Sequence, residues 1–248
     1  MSDKTLNISW VYPDLLNLHG DRGNVMALEK VAKLMGIIPK VTRVDTFSQE
    51  IDFENTDIIL FNAGEVKTVD PIVKNLKKFG NAIYDYAAKN KVIIAVGSTG
   101  AILSKQLKRR DGSIVVGLGL LDMNCVERQE IYGDDLYFTL KDKTEIVSVQ
   151  IHIVDFFLEN ENDRLGDIVY GKGNNDIDKT EGAKKNNVYF TNALGPVFVK
   201  NPWFAQDIIL EAMKNKGVEI SKTDLKNEFE IELESAKYIK KFIRGKMG

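Results

Sequence analysis

The chain has 248 residues, enough for one α/β domain with a sizeable core. Its 34 basic and 36 acidic side chains leave a net charge of −2, so no strong field selects nucleic acid or a membrane surface. No apolar run approaches the roughly 20 residues that span a bilayer. The polar stretch 1–7 lacks the apolar centre of a secretion signal. One cysteine, Cys125, excludes an internal disulfide and a cysteine-based zinc cluster, and the cytoplasm is the expected compartment.

In chain order, residues 6–12 read as a first strand. It leads into a loop rich in turn-forming residues, from Pro13 and Asp14 through His19, Gly20, Asp21, Arg22 and Gly23 to Asn24. A helix over 25–35 follows, stopped by Gly36. Strands are expected over 39–44 and 57–61, the latter ending in Asn62, Ala63 and Gly64. Residues 71–89 carry the apolar spacing of one helix.

Val92, Ile93, Ile94, Ala95 and Val96 form a continuous apolar run, the mark of a strand buried on both faces. Gly97, Ser98, Thr99 and Gly100 follow, then apolar residues that suggest a helix. Strand, sharp turn and helix make the setting of a nucleophile elbow, and equally of a plain structural or phosphate-binding turn. Alternating strands and helices to this point predict a doubly wound, mainly parallel sheet. Segments 117–122, 124–131, 136–140 and 146–153 then read as short strands of an antiparallel extension. A strand over 167–170 precedes a polar loop with Gly171, Gly173, Asn174 and Asn175. Residues 188–191 read as the last core strand, 202–216 as a helix, and 223–244 as a charged amphipathic helix.

Four segments together carry a resemblance. They are Tyr12-Pro13-Asp14-Leu15 with His19-Gly20-Asp21-Arg22-Gly23-Asn24, the elbow strand, 117–122, and Tyr170-Gly171-Lys172-Gly173-Asn174-Asn175 with Thr180-Glu181-Gly182. In these the chain resembles the class I glutamine amidotransferases of the cobyric acid synthase-like type. Within them it resembles the glutaminase subunits that work with a Mur ligase-like subunit on lipid II. The resemblance implies a flavodoxin-like α/β domain over residues 1–216, with the amphipathic helix of 217–248 packed on or extending it. It also implies a chemistry. A cysteine on the strand tip attacks the glutamine amide, a histidine after the last core strand moves the proton, and backbone N–H groups near the elbow hold the oxyanion. Ammonia then passes to the partner. No cofactor or metal is implied.

At the decisive places this sequence departs from that pattern. Aligned without gaps, the family's cysteine falls on Gly97 and its histidine on Leu194. The oxyanion loop falls on Asn62, Ala63 and Gly64, and Arg128 lies nearest to, but out of register with, the arginine expected to hold the glutamine carboxylate. Glycine has no nucleophile and leucine carries no proton, so glutaminase activity is expected to be lost. The leading expectation is a degenerate subunit that binds a Mur ligase-like partner in peptidoglycan-precursor modification. The loop with Asp14, His19, Asp21, Arg22 and Asn24 would lie on the partner side, its polar residues forming a capping network.

Two other readings stand beside it. One is an enzyme with a displaced nucleophile, Ser98 or Cys125, served by one of the only two histidines, His19 and His152. Against it, Ser98 reads as a helix cap, Cys125 as a half-buried thiol, and His152 as packed on a sheet. The other is a protein that binds a small molecule in a pocket over the elbow, formed by Asn62, Ala63, Gly64 and Ser98. The loop of Gly171, Gly173, Asn174 and Asn175 reads as structural rather than as a phosphate cradle.

Overall fold

The computed structural model describes residues 4–247; the first three residues of the polar amino-terminal stretch, and Gly248, lie outside the described residues. The first half alternates strands and helices: β1 (Thr5–Val11), α1 (Arg22–Leu34), β2 (Ile38–Val44), β3 (Ile58–Phe61), α2 (Val69–Leu76), α3 (Ala82–Ala88), β4 (Val92–Val96) and α4 (Gly100–Leu103). The second half holds β5 (Gln106–Lys108), β6 (Ile114–Val116), β7 (Met123–Leu140), β8 (Glu145–Leu158), β9 (Gly166–Tyr170), β10 (Thr180–Glu181), β11 (Ala183–Lys185) and β12 (Val188–Thr191). It closes with α5 (Val197–Lys200), α6 (Pro202–Asn215) and α7 (Glu230–Met247).

The main sheet has the order β11-β12-β4-β3-β1-β2. All its pairings are parallel except that of β11 with β12. Strand β4 sits between β3 and β12 and is buried at every position. Its side chains feed two separate cores: Ile94 and Val96 meet α1 and α6 residues such as Leu28 and Ile208, while Ile93 and Ala95 meet α2 residues such as Ile72 and Leu76. A strand packed on both faces needs the unbroken apolar run that its sequence shows.

The extension is a second sheet, ordered β10-β9-β7-β5-β6 with β8 paired to β7, and it is antiparallel in every pairing except that of β5 with β7. Residues 124–131 and 136–140, expected as two strands, belong to the one strand β7. A register shift against β8 between Glu127 and Tyr132 absorbs the polar stretch between them. Residues 117–122 form no strand. The N–H groups of Leu118, Gly119 and Leu121 donate instead to the carbonyls of Ile102, Ser104 and Leu103, satisfying the end of the short helix α4. Gly117 permits this approach, since a Cβ there would stand 2.1 Å from the Ser104 carbonyl oxygen.

Two helices differ from expectation. Residues 71–89 are split into α2 and α3, because Gly80 takes a φ of +58° between them. Helix α7 begins at Glu230 rather than 223, after a 3-10 turn over Lys226–Glu228. It packs on the β7–β8 hairpin through Ala236, Ile239 and Ile243, against Tyr137 and Val147. Among the described residues no helix is long and apolar enough to cross a membrane.

The start of α4 fits closely under β12. A Cβ on Gly100 would lie 2.3 Å and 2.4 Å from Phe190 ring atoms, and Phe190 itself packs on Phe156 with ring centroids 4.1 Å apart. Gly100→Ala is expected to destabilise the protein by about 1–3 kcal/mol through overpacking, read as a lower urea midpoint with unchanged slope. An unchanged midpoint would contradict this packing.

Candidate functional site

Strand β4 ends at Val96, and the chain turns at once through Gly97, whose φ of +62° lies in the left-handed region. A 3-10 turn over Gly97–Thr99 runs into α4. The turn is tied by its own hydroxyls. Thr99 Oγ1 accepts the Val96 N–H at 3.1 Å and donates to the Val96 carbonyl at 2.8 Å. Ser98 is buried, and its hydroxyl donates to the Gly64 carbonyl. Ser98 therefore does not cap α4 as expected; it joins the elbow to the loop after β3, where it serves as a donor to a peptide oxygen.

The structure brings Gly97 and Leu194 together. A Cβ built on Gly97 would lie 2.9 Å from Leu194 Cδ2 and 3.3 Å from the Ala63 methyl. Leu194 is held there by β8: its N–H donates to Val149 O at 2.8 Å, and the Ser148 hydroxyl donates to the Leu194 carbonyl. The space above the strand tip is thus filled by an isobutyl group positioned from the second sheet.

Asp21 links the two loops that flank this contact. Its carboxylate accepts from the Ala63 N–H and the Gly195 N–H, each at 3.3 Å, and makes no cap on its own helix. Asp21 is fully buried, and burial pushes its pKa up to about 7 against the lowering effect of those two N–H donors. Asn24 works beside it: Oδ1 accepts the Phe198 N–H at 3.0 Å, and Nδ2 donates to Asn62 Oδ1 at 3.3 Å. The polar residues of the first loop are therefore not one capping network. Asp21 and Asn24 tie distant loops from within, whereas Asp14 is exposed and pairs with Arg43 at 3.4 Å, and Arg22 lies over the Trp10 ring.

A cleft of about 330 Å³ opens beside the elbow. Ala63, Gly64, Ser98 and Leu194 form one wall with Leu18 and His19. The facing wall comes from the second sheet: Ile151 and Ile153 of β8, Ile131 of β7, and the Arg109–Glu127 ion pair at 2.7 Å. Sequence reasoning missed this second wall. Its one signal was period-two alternation in β8, which puts Ile151 and Ile153 on one face and Gln150 and His152 on the other. The chemistry available is binding: an apolar floor, a charged pair at one side, and a neutral-leaning imidazole, since burial lowers the pKa of His19.

The remaining candidates lie elsewhere. Cys125 is wholly buried rather than half-buried, and burial pushes its thiol up to about 12. His152 is buried and bonds Asp155 and Gln150, each at 2.6 Å; burial lowers its pKa, opposed by Asp155. Arg128 also bonds Asp155, at 2.8 Å. In the glycine loop, Asn175 donates to the Phe156 carbonyl. Asn174 Oδ1 accepts from Asn192, two residues before Leu194. Gly173, at φ +61°, passes so near Thr180 that a Cβ would stand 2.2 Å from its carbonyl oxygen, and Gly171 takes a φ of +106°. Buried Glu181 accepts from Thr191 and from the Asn192 N–H, fixing the same strand end.

Residues 7–201 match the CobB/CobQ-like glutamine amidotransferase domain. The chain belongs to this family. It is similar to the lipid II isoglutaminyl synthase (glutamine-hydrolyzing) subunit GatD of Streptococcus pneumoniae, with 28% identity covering 85% of this chain and 82% of that protein. It is similar also to GatD of Staphylococcus aureus, with 26% identity covering 92% of each. Among solved structures, PurLQS from Thermotoga maritima shares the fold at a TM-score of 0.55 and 14% identity, covering 85% of this chain and 96% of that one. A crystal structure of a glutamine amidotransferase does so at 0.53 and 16%, covering 85% and 99%.

Two outcomes follow from the geometry. Gly97→Ala is expected to cost about 1–3 kcal/mol, from left-handed strain and the Leu194 contact. In a double-mutant cycle with Leu194→Ala, part of that cost is relieved; strict additivity would contradict the contact. Asp21, raised from the ordinary 3.8 to about 7, holds its proton better folded than unfolded. Its contribution is full below about pH 4 and is lost as pH rises through 7, by up to about 4 kcal/mol. The stability difference between wild type and Asp21→Asn, followed by urea titration, should fall between pH 4 and 7 and level off above; a difference independent of pH would contradict it.

Proposed function

We propose that this chain is a non-catalytic glutamine amidotransferase-like subunit of a complex that modifies lipid II, working in the cytoplasm with a Mur ligase-like partner. The observation that carries the reading is the contact between Gly97 and Leu194. In the family, these two positions are where a thiol and an imidazole would face each other, and here a hydrogen and an isobutyl group meet. Support comes also from the elbow hydroxyls, which are committed to carbonyls, and from the Ala63 N–H, which donates to Asp21 instead of standing free for an oxyanion. The likeness to two subunits of lipid II isoglutaminyl synthase supports a place in a lipid II-modifying complex, and the Mur ligase-like character of the partner rests on the family resemblance.

On this reading the chain keeps the loops that flank the cleft, with Leu18 and His19 on its wall, for the partner. A second reading, binding of a small molecule in the cleft without turnover, is favoured by its volume and apolar floor. The displaced-nucleophile reading loses ground, since Ser98 bonds a carbonyl and Cys125 is a buried neutral thiol.

The test is ammonia release from glutamine, measured for the chain alone and co-expressed with a Mur ligase-like subunit. The expected result is a stable complex with no glutamine-dependent ammonia above the buffer rate. Robust turnover would refute the loss of chemistry, and failure to form the complex would refute the partner assignment.

A further inference from the structure

Helix α7 exposes five large apolar side chains, and three of them, all but Leu233 and Met247, share one face. Ile231, Tyr238 and Phe242 are 81%, 63% and 60% exposed. Their spacing of seven and then four residues sets them on one line along the helix. The line is fixed in place from the opposite side. Ala236 and Ile243 are buried on the β7–β8 hairpin, Lys240 pairs with Glu145 at 2.7 Å, and Lys246 bonds Asp134 and Asp135 at 3.1 Å each. The Lys246 ammonium stands 4.7 Å from the centre of the Phe242 ring, and the rest of the line is open to solvent; an exposed apolar stripe on an anchored helix is a surface made for a partner.

The charges beside the stripe say which partner. Glu234 and Lys241 are both exposed, lie seven residues apart and share one flank of the line. Neither has an ion-pair partner among the described residues. When two identical helices cross antiparallel, like flanks come together. Glu234 of one copy then meets Lys241 of the other, and the pair occurs twice across the dyad. The same register sets Ile231 beside the other copy's Phe242 and Gly245, with Tyr238 near the axis. Gly245 leaves room for this, since nothing lies within 4 Å of a Cβ built on it. The wider pattern agrees: Glu230, Glu232 and Glu234 lie in the first half of α7 with one base, Lys237, and Lys240, Lys241, Arg244 and Lys246 lie in the second. Antiparallel copies bring opposite halves together, whereas parallel copies would stack like on like.

We propose that α7 is a self-association surface, on which two copies of this chain pair antiparallel through Ile231, Tyr238 and Phe242, aligned by reciprocal Glu234–Lys241 ion pairs. The surface lies on the second sheet and stands apart from the elbow cleft, so it does not depend on the functional reading above. The contact is small, and the expected dissociation constant is micromolar or weaker.

Sedimentation velocity of the full chain, from low-micromolar to submillimolar concentration, tests it. Wild type is expected to pass from monomer to dimer, and Phe242→Glu to stay monomeric. Glu234→Lys and Lys241→Glu alone each set like charges opposite one another and weaken the dimer by about tenfold. The double variant Glu234→Lys/Lys241→Glu restores it. All three substituted positions face solvent, so melting curves matching wild type confirm that the fold is kept. A wild type that remains monomeric throughout, a dimer indifferent to Phe242→Glu, or a double variant no tighter than the single ones would overturn the proposal. So would a monomeric wild type whose binding to a Mur ligase-like subunit is lost in Phe242→Glu, which would give the face to a different protein.

Discussion

The contact of the Leu194 side chain with Gly97 is the constraint around which the site is arranged. It joins the tip of β4, a strand buried at every position, to a residue positioned by β8 of the second sheet. Two properties follow from this one contact. A glycine is required at the tip, because its φ is positive and any side chain would meet the isobutyl group. The mouth of the sheet, where a reacting group would stand, is closed by apolar atoms, and the open space is displaced sideways into the cleft beside it.

Around that contact the fold spends its buried polar groups on holding loops together. Asp21 and Asn24, at the start of α1, reach the loops after β3 and β12 and the start of α5. Glu181, Asn174 and Asn192 fix the end of β12 from the other side. A carboxyl with a pKa near 7 and no ion-pair partner among the described residues is an expensive way to join two loops. It gives the elbow region a sensitivity to pH that an amide would not supply. Perturbed carboxyls of this kind gather at functional sites, and this one joins the two loops that flank the tip of β4.

Much of the fold was legible in the residues. The run of Val92 to Val96 could only be a strand packed on both faces, and Gly36 marks a helix end at positive φ. Where the reading failed, long-range pairing had overridden local pattern. The stretch 117–122 looked strand-like but is used to satisfy the carbonyls of α4, and the polar middle of β7 hid a continuous strand. The slots at Gly97 and Leu194 could be proposed from motif alignment. Their contact could not, because it depends on how the second sheet leans on the first. The same holds for the cleft wall of Ile151, Ile153 and the Arg109–Glu127 pair, which comes from segments with no motif of their own. Asp21 looked like a cap because it stands at an N-cap position, yet its oxygens face other loops.

The central claim is that no group at this elbow can attack an electrophile. Intact-mass measurement after exposure to a glutamine-mimicking chloroketone, with and without a Mur ligase-like subunit, tests it at the level of the bond. The account predicts that the chain's mass stays unchanged under conditions that fully label an active glutamine amidotransferase. A stoichiometric adduct that maps to Ser98, Cys125 or either histidine would contradict it.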